Sequence, residues 1–440
     1  MRTGTLLEKP EDSGARNKAA VTLLLLASLT LAVFDYGGMA DHYVYLYTAF
    51  QFPEIAAADP YLRDSFFKYS SVIYPLNTFF QIQDREWLVF AFFLISVVGG
   101  CWLVYRLLCR QFALEPWAAA LSTILMLVVD RKILPNAWPV IMPMHPASPS
   151  MFTNILAVVV LYYLFEKRVL AAAIALLCLH LLATKENVLL LPSAVLFAVA
   201  CKDIGWRRAL YFLMPFGYLA FMALSHTKTQ GSPEAVQELM RYTVDTERGD
   251  GNFLYHGIAT NLAFLLSLVG LSVLVWPFAP HIRKLTWAFV VTAAGLWLVN
   301  VVHLGFFMED LPIAQLIYIG PVRSMRFVIF LFYLVATVRI FKAAGLYHHE
   351  KAALLLALYG ITPQSLTAFV LAVLVVGLAF LPRLIVAYGP RALAGLAGRL
   401  NGQKRIWPEM VAVALFIGAW VYATGQYGFR WDEQAYANTG

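Results

Sequence analysis

Charge is scarce in this sequence. Asp, Glu, Lys and Arg together make up 13% of the 440 residues, about half of what a water-soluble globule carries. That deficit, set against 60% hydrophobic residues and a mean hydropathy of +0.68, excludes a soluble globular domain. Cysteine is also sparse. The four residues Cys101, Cys109, Cys178 and Cys201 lie in apolar runs or at their ends without C-x-x-C spacing, so free, buried thiols are expected and neither a disulfide framework nor a zinc site is. No glycine-rich phosphate loop, dinucleotide fingerprint or H-E-x-x-H pattern occurs, which leaves ATP-driven and nicotinamide chemistry without support; no cofactor is expected. The formal charge of +7 is not gathered into a basic run or an aromatic-studded groove, and no nucleic-acid partner is expected. Alternating ten-residue strands of the barrel kind are missing as well.

What is present is a succession of apolar runs. Lipid leaves backbone polar groups no partner but one another, so such runs read as helices. The expected fold is all-α: a polytopic transmembrane helical bundle of about 11–13 spans with a long external first loop that contains interfacial helices. The runs are 20–34, 87–108, 117–129, 150–165, 169–183, 188–200, 210–224, 258–278, 285–304, 327–338, 365–381 and 410–424. Several fall short of the roughly 20 residues a crossing needs and must extend into their flanks, tilt or re-enter. A cleavable leader ending at Ala40 is the alternative for the first run. Glu8, Glu11 and Asp12 in the tail favour an uncleaved helix.

With the amino terminus in the cytoplasm, the basic clusters Arg2 to Lys18, Arg106 with Arg110, Lys167 with Arg168, Lys202 with Arg207 and Arg208, Arg283 with Lys284, and Arg339 with Lys342 fall on one side. This divides the chain into a cytoplasmic tail (1–19), a transmembrane module with an external loop at 35–86 (20–342) and a C-terminal transmembrane region (343–440). Residues 352–381 are too long for one untilted span and too short for two, with Pro363 in the middle. A half-span or re-entrant pair near Pro363 would keep the later basic residues, Arg383 to Arg405, on the cytoplasmic side.

The first external loop, about fifty residues, is long enough to be either functional or disordered. Its Tyr and Phe content excludes the second. Asp41 lies about two helical turns past the end of the first run. An acid held at the bilayer surface and partly desolvated by aromatics has its pKa raised toward that of a general base. The same residue could simply cap a following helix. His42 beside it either tunes the site or rests at the interface. In "TKEN", Lys185 and Glu186 interrupt about thirty apolar residues, where ionisable groups are costly. They either pair at a tight turn or present Lys185 to a watery cavity. Arg323 and Arg326 stand three apart at an expected external helix start and suit a phosphate or diphosphate. His145 sits among prolines in "PMHPASPS", held by a restricted backbone. Asp245-Thr246-Glu247 reads as a polar turn, and His348-His349-Glu350 lacks a second ligand pair, so no metal is expected.

The run–loop pattern with "GGMADHYVYLYTA" and "DPYLRDSFF", followed by short paired runs around "TKEN", resembles the GT-C superfamily of polytopic glycosyltransferases, which take sugars from polyprenyl-phosphate carriers. "KEN" stands where a Lys-Glu-Asp turn occurs in membrane families of that superfamily, and no second acid adjoins Asp41. The resemblance implies Asp41 as catalytic base, Asp64 as a second acid, and Arg323, Arg326 and Lys185 on the carrier phosphate. It implies a polyprenyl-phosphate sugar donor, a glycan, lipid or protein acceptor, and surrounding membrane lipids. The compact loops and short tails point to a bacterial inner membrane. A transporter or flippase of a lipid-linked saccharide or other amphiphile is the competing reading, with Lys185, Glu186, Arg323 and Arg326 along a path.

Overall fold

A computed structural model describes residues 11–37, 54, 85–129, 150–182, 190–210, 258–302, 325–360, 366–388, 408–412 and 414–415. Twelve helices form among the described residues, and no strand does. They are α1 (Glu11–Gly37), α2 (Glu86–Arg110), α3 (Pro116–Val129), α4 (Ser150–Phe165), α5 (Val169–Leu182), α6 (Leu190–Ile204), α7 (Trp206–Ala209), α8 (Ile258–Leu274), α9 (Pro280–Val302), α10 (Met325–Lys342), α11 (His348–Gly360) and α12 (Leu366–Tyr388). The apolar runs become helices where they are described, and α4 has the bounds of its run. The first helix differs: it starts at Glu11, nine residues inside the expected tail, since no proline falls in residues 11–19 and one glycine, Gly14, does not stop a helix. The run at 210–224 lies outside the described residues. Among the described residues three helical stretches, Trp87–Arg110, Pro280–Val299 and Val370–Tyr388, are long and apolar enough to cross a membrane.

Short polar turns set the local topology. Between α4 and α5, Lys167 takes a left-handed conformation (φ 60°), Arg168 N–H donates to Tyr163 O at 2.9 Å and Lys167 N–H to Leu164 O at 3.1 Å. This is a Schellman closure, and it folds α5 straight back on α4. Between α8 and α9, Trp276 N–H donates to Val273 O and Phe278 N–H to Val275 O, with Pro280 opening α9 at the position where its missing N–H costs nothing. At the start of α11 the Glu350 carboxylate reaches back to accept from Tyr347 N–H at 2.8 Å, half of a capping box.

The core runs through the middle of the bundle. Phe93, Phe112, Phe165, Phe264, Phe289 and Phe327 are fully buried. Helix α10 is the central element: Phe327, Val328, Leu331, Leu334, Val335 and Val338 are sealed off, and it packs on α3, α8, α9 and α11. Two close approaches depend on glycine. A Cβ on Gly99 of α2 would stand 2.7 Å from Ile155 Cδ1 of α4, and one on Gly270 of α8 would stand 2.6 Å from Phe332 Cε2 of α10. Hydroxyls within the helices find backbone carbonyls one turn back, Ser122 on Ala118 O at 2.6 Å and Thr123 on Ala119 O at 2.8 Å. Of the four cysteines, all free, only Cys101 is fully buried. Cys178 is exposed, because it lies on the outward face of α5.

The undecided stretch around Pro363 resolves into two helices. α11 pairs with α12, and Arg383 near the end of α12 meets Glu350 at the start of α11 and Gly345 in the turn before it. α12 therefore returns to the end of α10 that carries Arg339 and Lys342.

Candidate functional site

Of the residues singled out in the sequence, Asp41, His42, Asp64, His145, Lys185 and Arg323 lie outside the described residues. Arg326 is in the first turn of α10, at the end opposite Arg339 and Lys342; its side chain is not among those described. Lys185 and Glu186 fall in the connection between the end of α5 and the start of α6. The described polar geometry gathers elsewhere, in two places.

The first is one end of the bundle. Arg110, at the close of α2, lies 3.2 Å from Glu166 Oε1 and donates at 3.2 Å to Tyr162 Oη. Tyr162 in turn donates to Glu166 Oε1 at 2.6 Å, and Arg168 Nε approaches Glu166 Oε2 at 3.6 Å. Gln111 reaches His281 at the start of α9 (3.3 Å), and Phe112 packs between Phe165 and Phe278, with ring centroids at 5.8 and 5.4 Å. Tyr105 donates to Asn17 of α1 at 2.9 Å, which brings the amino-terminal end of α1 to the same place. Three basic clusters from distant parts of the sequence thus converge, as the charge pattern predicts: Arg106 with Arg110, Lys167 with Arg168, and Arg283 with Lys284.

Glu166 is the acid at the centre of this end. Partial burial pushes its carboxyl up, but hydrogen bonds from Tyr162 and Arg110 and the nearby Arg168 outweigh that effect and hold it below the usual carboxylate range. It stays ionised and serves two exposed arginines at once. A single carboxylate cannot neutralise both of them together with Lys167, so the end remains cationic.

The second place is the base of the α11–α12 pair. Glu350 is wholly buried, and its Oε2 accepts from Arg383 Nη2 at 2.7 Å as well as from Tyr347 N–H. The guanidinium also lies over the Tyr347 ring, 5.0 Å from its centroid. Glu409, buried at the head of the last apolar run, meets His348 Nδ1 at 2.6 Å. Burial pushes the Glu409 carboxyl up, and the contact with His348 offsets part of that. Lys351 donates to Phe341 O at 2.9 Å. The arrangement clasps residues 408–412 and α12 to the start of α11. Among the described residues no group of His, Cys, Asp and Glu has the spacing of a metal site.

Glu409 was not singled out in the sequence, and Glu350 was weighed only within His348-His349-Glu350, where no metal was inferred. The signals were there: an acid three residues after the helix-capping Tyr347, and an acid directly before an apolar run, where an unpaired charge is costly. Comparison with protein-family models, with curated proteins and with solved structures finds no match to this chain.

Proposed function

We propose that the chain is a multi-pass membrane glycosyltransferase that moves a sugar from a polyprenyl-phosphate donor to an acceptor at the external face of a bacterial inner membrane. The observation that carries this reading is the sequence that follows α1. An acid, Asp41, stands four residues beyond Gly37, at the head of a long loop dense in Tyr and Phe. Asn17, near the amino terminus of α1, belongs to the basic end of the bundle. By the positive-inside rule that end is cytoplasmic, and α1 then delivers Asp41 to the other side.

The chemistry follows from the residue types. Asp41 takes the proton of the acceptor hydroxyl as its oxygen forms a bond to the anomeric carbon. The bond from that carbon to the carrier phosphate breaks, its electron pair leaves with the phosphate, and Arg323, Arg326 and Lys185 stabilise the charge. Asp64 is the second acid of the loop, and His42 and His145 border the substrate. With three cations on the phosphate, the step requires no metal.

The test is turnover of a panel of polyprenyl-phosphate sugars by purified protein in lipid nanodiscs. Transfer is expected for the wild type, a loss of about a hundredfold or more in Asp41→Asn, and weakened donor binding in Arg323→Ala. Carrier binding without transfer, unchanged in Asp41→Asn, would move the assignment to a transporter of the same lipid.

A further inference from the structure

The convergence of cations at the end of α2, the α4–α5 turn and the start of α9 has a chemical partner. We propose that the α4–α5 turn seats the headgroup of an anionic phospholipid, with its acyl chain along α5. The headgroup phosphate is held by Lys167 and Arg168, with Arg110 beside them.

Three observations lead there. First, the backbone of Lys167 is left-handed, at φ 60°, in the position of a Schellman turn that glycine fills without steric cost. The turn itself does not call for a lysine, and Lys167 is exposed there. Second, charge is left over. Arg110 and Arg168, with side chains half or more exposed, share the single acid Glu166, so a phosphate diester would find unspent positive charge. Third, the surface below these cations is apolar and bare. Leu170, Ile174 and Leu177 follow Arg168 down one face of α5 at spacings of four and three, and are 68%, 55% and 41% exposed. A soluble phosphate ion would use the cations and leave that stripe in contact with nothing suited to it. An amphiphile uses both, because its charged head and hydrocarbon tail meet at the level where Arg168 gives way to Leu170.

Lys167→Gly separates binding from folding. It removes the charge while relieving the backbone, so a weakened lipid response cannot be blamed on a damaged turn. The full chain in neutral detergent micelles is titrated with phosphatidylglycerol, phosphatidylcholine or inorganic phosphate, and retained lipid is read by native mass spectrometry alongside the thermal midpoint. The expected result is retention of phosphatidylglycerol in preference to phosphatidylcholine, a midpoint raised by phosphatidylglycerol alone, and affinity weakened about fivefold in Lys167→Gly and again in Arg168→Gln. Equal retention of the two lipids, an equal rise with inorganic phosphate, or unchanged affinity in both variants would overturn the assignment.

Discussion

Glu350 has no solvent contact and, among the described residues, one oxygen without a partner, while the other accepts from Arg383 and from Tyr347 N–H. Removing Arg383 leaves a buried carboxylate half-served. Arg383→Ala should cost about 2–3 kcal/mol, less than a fully buried pair because water reaches the guanidinium. The double variant Glu350→Leu with Arg383→Leu should recover most of it; unfolding midpoints in detergent check both, and a double variant no better than the single would show that the pair does more than neutralise itself. Glu409 adds a pH dependence of definite sign. Its carboxyl is pushed above the ordinary range by burial, so the folded state binds the proton more tightly than the unfolded one. The stability it contributes is full below the ordinary carboxylate pKa and is lost as pH rises through the raised value. The protection of residues 408–412 against hydrogen exchange, after correction for the base-catalysed intrinsic rate, should therefore fall across that window in the wild type and stay constant in Glu409→Gln. At this scale the sequence was partly legible. Charges in apolar surroundings marked themselves, but which acid meets which base depends on a chain return through α12 that no local pattern records.

Among the elements, α11 and α12 illustrate what length alone leaves open. Thirteen residues of α11 rise about 20 Å, short of the roughly 30 Å of hydrocarbon, whereas 23 residues of α12 rise about 34 Å. Hydropathy delimited the apolar stretch but not its turning point, because a proline alone does not end a helix: α12 runs through Pro382. The contact of Arg383 with Gly345 brings the end of α12 back to the turn before α11. In a variant with the four native cysteines replaced by serine, single cysteines at Gly345 and at Tyr388 should be labelled by an impermeant thiol reagent from the same side of sealed vesicles. Labelling from opposite sides would exclude the re-entrant pair. The α8–α10 seam makes a second case. Gly270 faces Phe332 at a distance no Cβ tolerates, and the ring edge it meets belongs to the central helix. Gly270→Ala should destabilise by about 1–3 kcal/mol through displacement of that ring, and Phe332→Leu in the same chain should relieve part of the loss, as read by thermal unfolding in micelles.

For the whole molecule, the decisive quantity is where apolar surface remains after folding. Only 6% of the apolar window of α12 is buried, against 39% for α2, so α12 carries hydrophobic side chains around nearly its full circumference. Val370, Leu371, Leu374, Leu378, Leu381 and Leu384 are all exposed. A protein partner would cover one stripe and leave the rest in water; a hydrocarbon phase covers every side at once. The charged residues at the ends of the helices fit the same solvent, with the Arg283 guanidinium 4.9 Å over the exposed Trp276 ring where an interface would lie. Spin labels at Leu374 and Leu378 in bilayers should then be relaxed by oxygen and shielded from a water-soluble nickel chelate. A label at Val97, sealed in the core of α2, should be shielded from both. Relaxation of the α12 labels chiefly by the nickel chelate would place that helix in water and remove it from the membrane. Composition made this outcome legible from the start. The proposed approach of Asp41 to a donor phosphate was not, because it would depend on how a loop and two distant helix ends meet in space, and neither hydropathy nor charge spacing encodes that.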